Sequence, residues 1–321
     1  MKVSVVLPCY NAESTIAEQL DALARQTFNG EWEVIFVNNG SNDRSVEIAE
    51  TYREKLPNFR IVQAGDAQGR PIGNVGHSYT VGFAAARGDS ICVCESDDVV
   101  ADSWLEHMAA ALETHDFVAP AIDYELLNPE VIRPEPADAN QTPGNKLPNE
   151  VGPLFLVYAN CCAIGMTREC YERTGTPSKD VRTAWDVDYC WRVQLAGMKL
   201  YFCPEALVHY RVRTTAKARF KQAKTWGTSH TFLLIRYGMP SIPRYIAYCV
   251  WRLLRTSFDL VVGMAQGKHN FAYWVWSIGF AWGQTLGTPI LIKAKMGSFK
   301  DIRIRIDQDT LRTLKSRAMT P

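Results

Sequence analysis

The 321-residue sequence has no acidic residue between His209 and Phe258, a stretch holding ten lysines and arginines. Asn270 to Ile292 carries no charge at all, and none of the nine cysteines stands in a Cys-x-x-Cys spacing. The last absence removes zinc knuckles and dithiol redox motifs from consideration. An odd cysteine count, with Cys92 and Cys94 inside an apolar run, suits reduced thiols in a cytosolic protein. Met1-Lys2 leads into an apolar stretch that ends at Pro8, too short for the core of a signal peptide, so export is not expected. Internal repeats and low-complexity tracts are missing, and 47% apolar with 21% charged residues excludes a disordered chain.

What is present divides by charge. The net charge of +1 conceals an acidic part, residues 1–205, and a strongly basic remainder that holds only four acidic residues, Asp259, Asp301, Asp307 and Asp309. Such a division points to an anionic ligand or surface for the second part. In the first part, apolar runs at 3–7, 32–37, 59–62 and 90–94 read as buried strands. Between them lie helical patterns: one with Ile16, Leu20 and Leu23 after a cap at Asn11 or Ser14, one over 44–55, and one over 76–87 that stops at Gly88. This alternation predicts βαβ units and an α/β fold with a mostly parallel sheet flanked by helices. Residues 127–152 contain five prolines and no periodicity and read as a long surface loop. Regular structure is expected to resume at 154–158, with a helix over 183–195 and short strands over 200–203 and 207–211. From Thr214 a helical extension is expected, with an amphipathic segment at 245–264.

One tetrapeptide stands out. Glu95-Ser96-Asp97-Asp98 follows directly on the apolar run Ile91-Cys92-Val93-Cys94, placing carboxylates at the C-terminal edge of a strand, where open α/β sheets bind ligands. Three carboxylates in four residues repel one another unless a cation joins them, and hard oxygen donors suit Mg²⁺ or Mn²⁺. A solvated turn capping the helix after Asp102-Ser103 is the plainer alternative.

The ordered segments VSVVLPCYNAE (3–13), EVIFVNNGSND (33–43), ICVCESDD (91–98), WDVDYCWRVQLAG (185–197) and PEALVH (204–209) resemble family 2 glycosyltransferases of GT-A fold over roughly residues 1–240. The resemblance implies a catalytic domain over 1–212, its nucleotide-sugar half at about 1–100 and its acceptor half at 101–212, followed by a basic helical region over 213–321. It implies a nucleotide-sugar pocket lined by Pro8, Tyr10, Asn11, Glu13, Asn38, Asn39, Glu95, Ser96 and Asp97. The metal would be held by Asp97 with Glu95 and His209, although a lone histidine is more often structural. Asp186 matches the general base that deprotonates the acceptor hydroxyl, with Trp185 and Asp188 beside the acceptor. An aromatic at 185 could stack on a sugar or simply pack the wall.

Four departures accompany the resemblance. Asn38-Asn39 replace two aspartates, Glu95 replaces the first aspartate of D-x-D, Trp185 replaces a glutamate, and Tyr79-Thr80 stand where an Arg-Asn pair is common. The implied activity is metal-assisted, inverting transfer of a sugar to a glycan or lipid-linked acceptor. A degenerate binding or scaffold subunit is one alternative. A nucleotidyltransferase is another, although Pro8-Cys9-Tyr10-Asn11 lacks the Gly-rich basic phosphate loop it should carry. The basic, aromatic-rich tail favours an anionic membrane over nucleic acid, so a peripheral place on the inner face of the cell membrane is expected. The 270–292 stretch is expected to dip into or lie on that membrane, its glycines and Pro289 weakening a span; packing on the catalytic domain or a homodimer interface would use the same aromatics.

Overall fold

A computed structural model describes residues 2–73, 75–129, 156, 158–159, 162–181, 183–265 and 271–304. Among the described residues eight strands form one sheet: β1 (Val3–Cys9), β2 (Trp32–Asn38), β3 (Arg60–Gln63), β4 (Ser90–Val93), β5 (Val99–Val100), β6 (Phe117–Asp123), β7 (Gly165–Thr167) and β8 (Leu200–His209). Their spatial order is β3-β2-β1-β4-β7-β6-β8-β5. The pairs β1–β2, β1–β4, β2–β3 and β6–β8 are parallel, whereas β7 runs antiparallel to β4 and β6, and β5 antiparallel to β8.

Every residue of β1 and β2 is buried, because helices cover both faces of the sheet. Val3, Val5 and Leu7 face α1 (Ile16–Ala24) and α4 (Trp104–Leu112), while Val6, Ile35 and Val37 face α3 (Val75–Ala85) and α6 (Trp185–Leu195). The short helices α2 (Ser45–Glu50) and α5 (Arg168–Thr174) complete this part.

Two features depart from the sequence expectations. Strands β6 and β7 escape the periodicity because Pro120 and Gly165 interrupt them. Pro120 sits at a bulge, and Gly165 packs where a Cβ would meet Met108 and Leu112. The two short strands expected near 200–211 are one strand, β8, whose register against β6 jumps from Cys203 to Leu207. The loop expected over 127–152 lies outside the described residues beyond Pro129. So do residues 154, 155 and 157 of the segment where structure is expected to resume.

Beyond the sheet stand α7 (Ala216–Tyr237), α8 (Ile242–Ala265) and α9 (Phe271–Lys295). The glycines of α9 do not interrupt it. Gly279, Gly283 and Gly287 recur every four residues and are buried against α7, where added Cβ atoms would collide with Phe220 O, Lys224 O and Thr231 Oγ1. Gly227 of α7 answers them, its missing Cβ leaving room for Phe280 O. Close backbone approach is therefore the reason for the glycines, as in small-xxx-small helix pairs. The small-residue face of 270–292 packs on α7, while Phe271, Trp282, Leu286 and Ile292 stay exposed on the rest of the helix. No described helix is long and apolar enough to cross a membrane.

Candidate functional site

The C-terminal ends of β1, β2 and β4 converge on one edge of the sheet, and three loops leave from there. The first two are laced together. Asn11 N–H donates to Ser41 Oγ (3.1 Å), Asn42 N–H to Asn11 Oδ1 (2.9 Å), Glu13 N–H to Asp43 Oδ2 (3.0 Å) and Arg44 N–H to Glu13 Oε2 (3.1 Å). Asn11 takes a positive φ of 49°, a conformation asparagine tolerates, so it bridges the loops rather than capping α1. Tyr10 projects from this edge with half its surface exposed.

Pro8 is not on that loop. It lies within β1 in register with Val37 and is buried, so it forms wall rather than contact surface. The two asparagines are also buried. Asn39 forms a two-way amide pair with Ile72, donating to its carbonyl (2.9 Å) and accepting from its N–H (3.0 Å). Asn38 donates to Gln63 Oε1 (2.8 Å) and accepts from Ser41 N–H (3.0 Å). An aspartate at 39 could accept but not donate, so the amide has a reason of its own.

The acidic turn leaves β4 beside these loops. Thr15 Oγ1 donates to Ser96 O (2.9 Å), fixing α1 to it. Glu95 is half-buried, and the hydroxyl of Tyr79 on α3 donates to it. Burial, the charge of Asp97 and, less strongly, that of Asp186 raise the Glu95 pKa to about 8 in spite of that hydrogen bond. Asp97 faces Arg213, Nη1 to Oδ2 3.0 Å, and its carbonyl accepts from Arg211 Nε (2.9 Å). Asp98 is buried: Oδ1 accepts from Arg211 N–H (2.8 Å), whereas Oδ2 is buried without a hydrogen-bond partner. Burial and the neighbouring Asp97 push its carboxyl well above the usual range.

Asp186 enters from the first turn of α6, its Oδ1 accepting from Val187 N–H (2.8 Å). Its charge is felt by Glu95 and by the buried thiol of Cys162, which Asp98 and Glu95 also push upward. The turn after β4 and the start of α6 lie close together, Tyr79 touching both: its hydroxyl donates to Glu95 and its ring is 4.3 Å from that of Trp185.

Three expected residues fall elsewhere. Trp185 is buried, 4.3 Å from the Tyr79 ring and 6.3 Å from that of Tyr189, so it packs the wall and does not present a face to an acceptor. Asp188 is fully buried. Arg192 Nε bonds one of its oxygens (2.9 Å), Tyr237 Oη the other (2.7 Å), and Arg236 Nε lies 2.8 Å from that second oxygen without hydrogen-bond alignment. It joins α6 to α7 and is not an acceptor contact. His209 Nδ1 sits 2.6 Å from Asp123 Oδ2, a contact that holds the Asp123 carboxyl below its ordinary range against the effect of burial. His209 also lines a hollow of about 420 Å³ with Arg25, Val99 and Leu126.

Among the described residues no three His, Cys, Asp or Glu side chains gather as a metal cage. The donor chemistry of Asp97 and Glu95 still fits Mg²⁺ or Mn²⁺, which are commonly held by one or two carboxylates plus substrate phosphates. The orphaned Asp98 Oδ2 and the raised Glu95 carboxyl mark a turn short of positive charge. Residue-by-residue reading missed Arg211, Arg213 and Tyr79 as parts of the site. The basic alternation after His209 and the departure at Tyr79 were the available signals.

The family model described as glycosyl transferase family 2 matches residues 4–174, more than half of the chain. The chain belongs to glycosyltransferase family 2. Among curated relatives, the poly(ribitol-phosphate) β-N-acetylglucosaminyltransferase TarS of Staphylococcus aureus is 36% identical over 116 residues, 36% of this chain and 19% of TarS. The uncharacterized glycosyltransferase EpsJ of Bacillus subtilis is 34% identical over 111 residues, 35% of this chain and 30% of EpsJ. The chain thus spans under a third of these two relatives. Among solved structures, S. aureus TarS superposes with TM-score 0.54 at 19% identity, covering 98% of this chain and 55% of that one. The mannosyltransferase PcManGT of Pyrobaculum calidifontis, in complex with GDP-Man and Mn²⁺, gives 0.55 at 19%, covering 94% and 87%. These likenesses identify the fold of this family member as GT-A.

Proposed function

We propose that this family 2 member transfers a sugar from a nucleoside-diphosphate sugar to a hydroxyl of a glycan or lipid-linked glycan, with inversion, at the cytoplasmic face of a membrane. The observation that carries the reading is the closeness of the start of α6, with Asp186, to the Glu95–Asp98 turn at the sheet's C-terminal edge, Tyr79 bonding Glu95 and packing on Trp185. In the reaction the acceptor oxygen attacks the anomeric carbon, the bond from that carbon to the diphosphate oxygen breaks, and the nucleoside diphosphate leaves with the bonding pair. Asp186 takes the acceptor proton, which places the base on the face opposite the leaving group. Asp97, with Glu95 beside it, would hold Mg²⁺ or Mn²⁺, which when bound neutralises charge growing on the diphosphate. Arg213, now on Asp97, is a cation within reach of that same charge. Tyr10 offers a base-stacking face, while Asn11, Glu13, Asn38, Asn39 and Ser96 shape the loops around it.

TarS was solved with UDP and UDP-GlcNAc, and PcManGT with GDP-Man. These donors are therefore the first to screen. Purified full-length protein with Mn²⁺ should hydrolyse or transfer at least one of them, and Asp186→Asn should abolish this while still binding the donor. Donor binding without turnover, in the presence of candidate glycan acceptors, would favour a scaffold subunit.

A further inference from the structure

The helix α8 shows apolar side chains to the outside. Of its 24 residues only Tyr245 and Cys249 are buried. Ile246, Val250, Leu254, Phe258, Val261 and Met264 recur at intervals of three and four, and all are exposed, Leu254 by 67% and Phe258 by 63%. At 100° per residue they fall on one stripe, with Trp251 at its margin. Arg244 and Arg255 border that stripe on one side, while Arg252 turns inward to Tyr248 and Gln284. A row of this length left in water is rare in soluble proteins, so something covers it.

We infer that α8 is the surface by which this protein lies on an anionic bilayer, its apolar stripe entering the acyl boundary and its arginines remaining among the headgroups. Charge complementarity selects the occupant. On α8 itself Arg255 pairs with Asp259, but from residue 206 onward the chain holds 19 lysines and arginines against four acidic residues, with Lys293 and Lys295 in the last turn of α9 and Lys300 and Arg303 after it. An anionic surface neutralises that excess, each nearby Lys or Arg adding to the attraction. A second copy of the chain would bring an equal positive excess against it, which opposes pairing across this face. Amphipathic helices with a basic polar face and aromatic or leucine insertions bind interfaces in this manner. The inference rests on the membrane-face location proposed above, not on the transfer chemistry.

The test is flotation of full-length protein with phosphatidylglycerol–phosphatidylethanolamine vesicles at low salt, beside phosphatidylcholine vesicles and beside sedimentation velocity without lipid. Full-length protein should float with the anionic vesicles and far less with neutral ones. Leu254→Gln/Phe258→Gln should lower the partition coefficient about 100-fold, the scale of withdrawing two such side chains from an apolar medium. Both side chains are exposed, so the double variant should keep its far-ultraviolet spectrum and unfolding midpoint. No flotation by the wild type overturns the inference, as does equal flotation of the double variant. A concentration-dependent oligomer that the double variant dissociates, without vesicle binding, would assign the stripe to a second copy instead. Donor turnover in lipid-free solution is read separately, so loss of membrane binding and loss of enzymatic function cannot be confused.

Discussion

Asp98 and Asp188 are both buried aspartates, and they have opposite surroundings. Asp188 has Arg192, Arg236 and Tyr237 around its two oxygens. Asp98 has one backbone N–H on one oxygen and no hydrogen bond on the other. Burying a charge is costly unless it is paired, so a fold that keeps a carboxyl with one unbonded oxygen at a sheet edge has not optimised that point for stability. The satisfied carboxylate works as a joint between the sheet and the helical extension. The unsatisfied one, with Glu95 and Asp97, belongs to a turn with room for a cation.

Breaking the joint should give the largest effect. Arg236→Met leaves part of the Asp188 charge uncompensated in the interior and should cost about 3 kcal/mol in chemical denaturation. Asp97→Ala should lower turnover by about 100-fold in saturating Mn²⁺, the scale of losing a major electrostatic stabiliser, with an unchanged unfolding midpoint. Full activity of that variant in EDTA would remove the cation from the account.

A pH series sharpens the comparison. His230, buried between α7 and α9 near Arg252, has its pKa lowered to about 4 by burial and by that arginine. Its folded value lies below its unfolded value, so the unfolded chain takes up the proton first. Stability present above about pH 6.5 should therefore fall as pH drops toward 4, by at most about 1.4 kcal/mol per unit. His230→Gln should flatten that slope. Glu95 acts in the other direction: its raised pKa makes stability decline as pH rises from the ordinary glutamate range toward 8. The smallest effect is expected of Asp98→Asn, which replaces a buried carboxyl whose charged form burial and Asp97 already disfavour. Its stability should change by less than about 1 kcal/mol, or rise.

Much of this contrast was hidden in the sequence, while much of the fold was not. The runs Val3–Leu7, Trp32–Val37 and Ser90–Val93 announce parallel strands because both faces of each are apolar. The switch from Cys94 to Glu95 then marks the ligand edge. Asp186 and Asp188 look alike at the start of a helix. What separates them is Arg236 and Tyr237, about fifty residues further on and brought over by tertiary packing. The glycines of α9 were misread for a related reason. A glycine inside a helix reads as weakness until the partner backbone that needs its missing Cβ is known. His209 drew attention as a ligand, and only the register of β8 against β6, Asp123 opposite His209, shows its partner.

The central claim is that the reacting proton is handled at Asp186 and that Asp188 only holds its helix. Side-by-side turnover of Asp186→Asn and Asp188→Asn, at saturating donor and acceptor, tests it most directly. The account predicts a loss of about 10²–10⁴-fold for Asp186→Asn with its unfolding midpoint intact. For Asp188→Asn it predicts turnover within about tenfold of wild type below its transition, with a midpoint lowered by several degrees. An inactive, fully stable Asp188→Asn beside an active Asp186→Asn would contradict it.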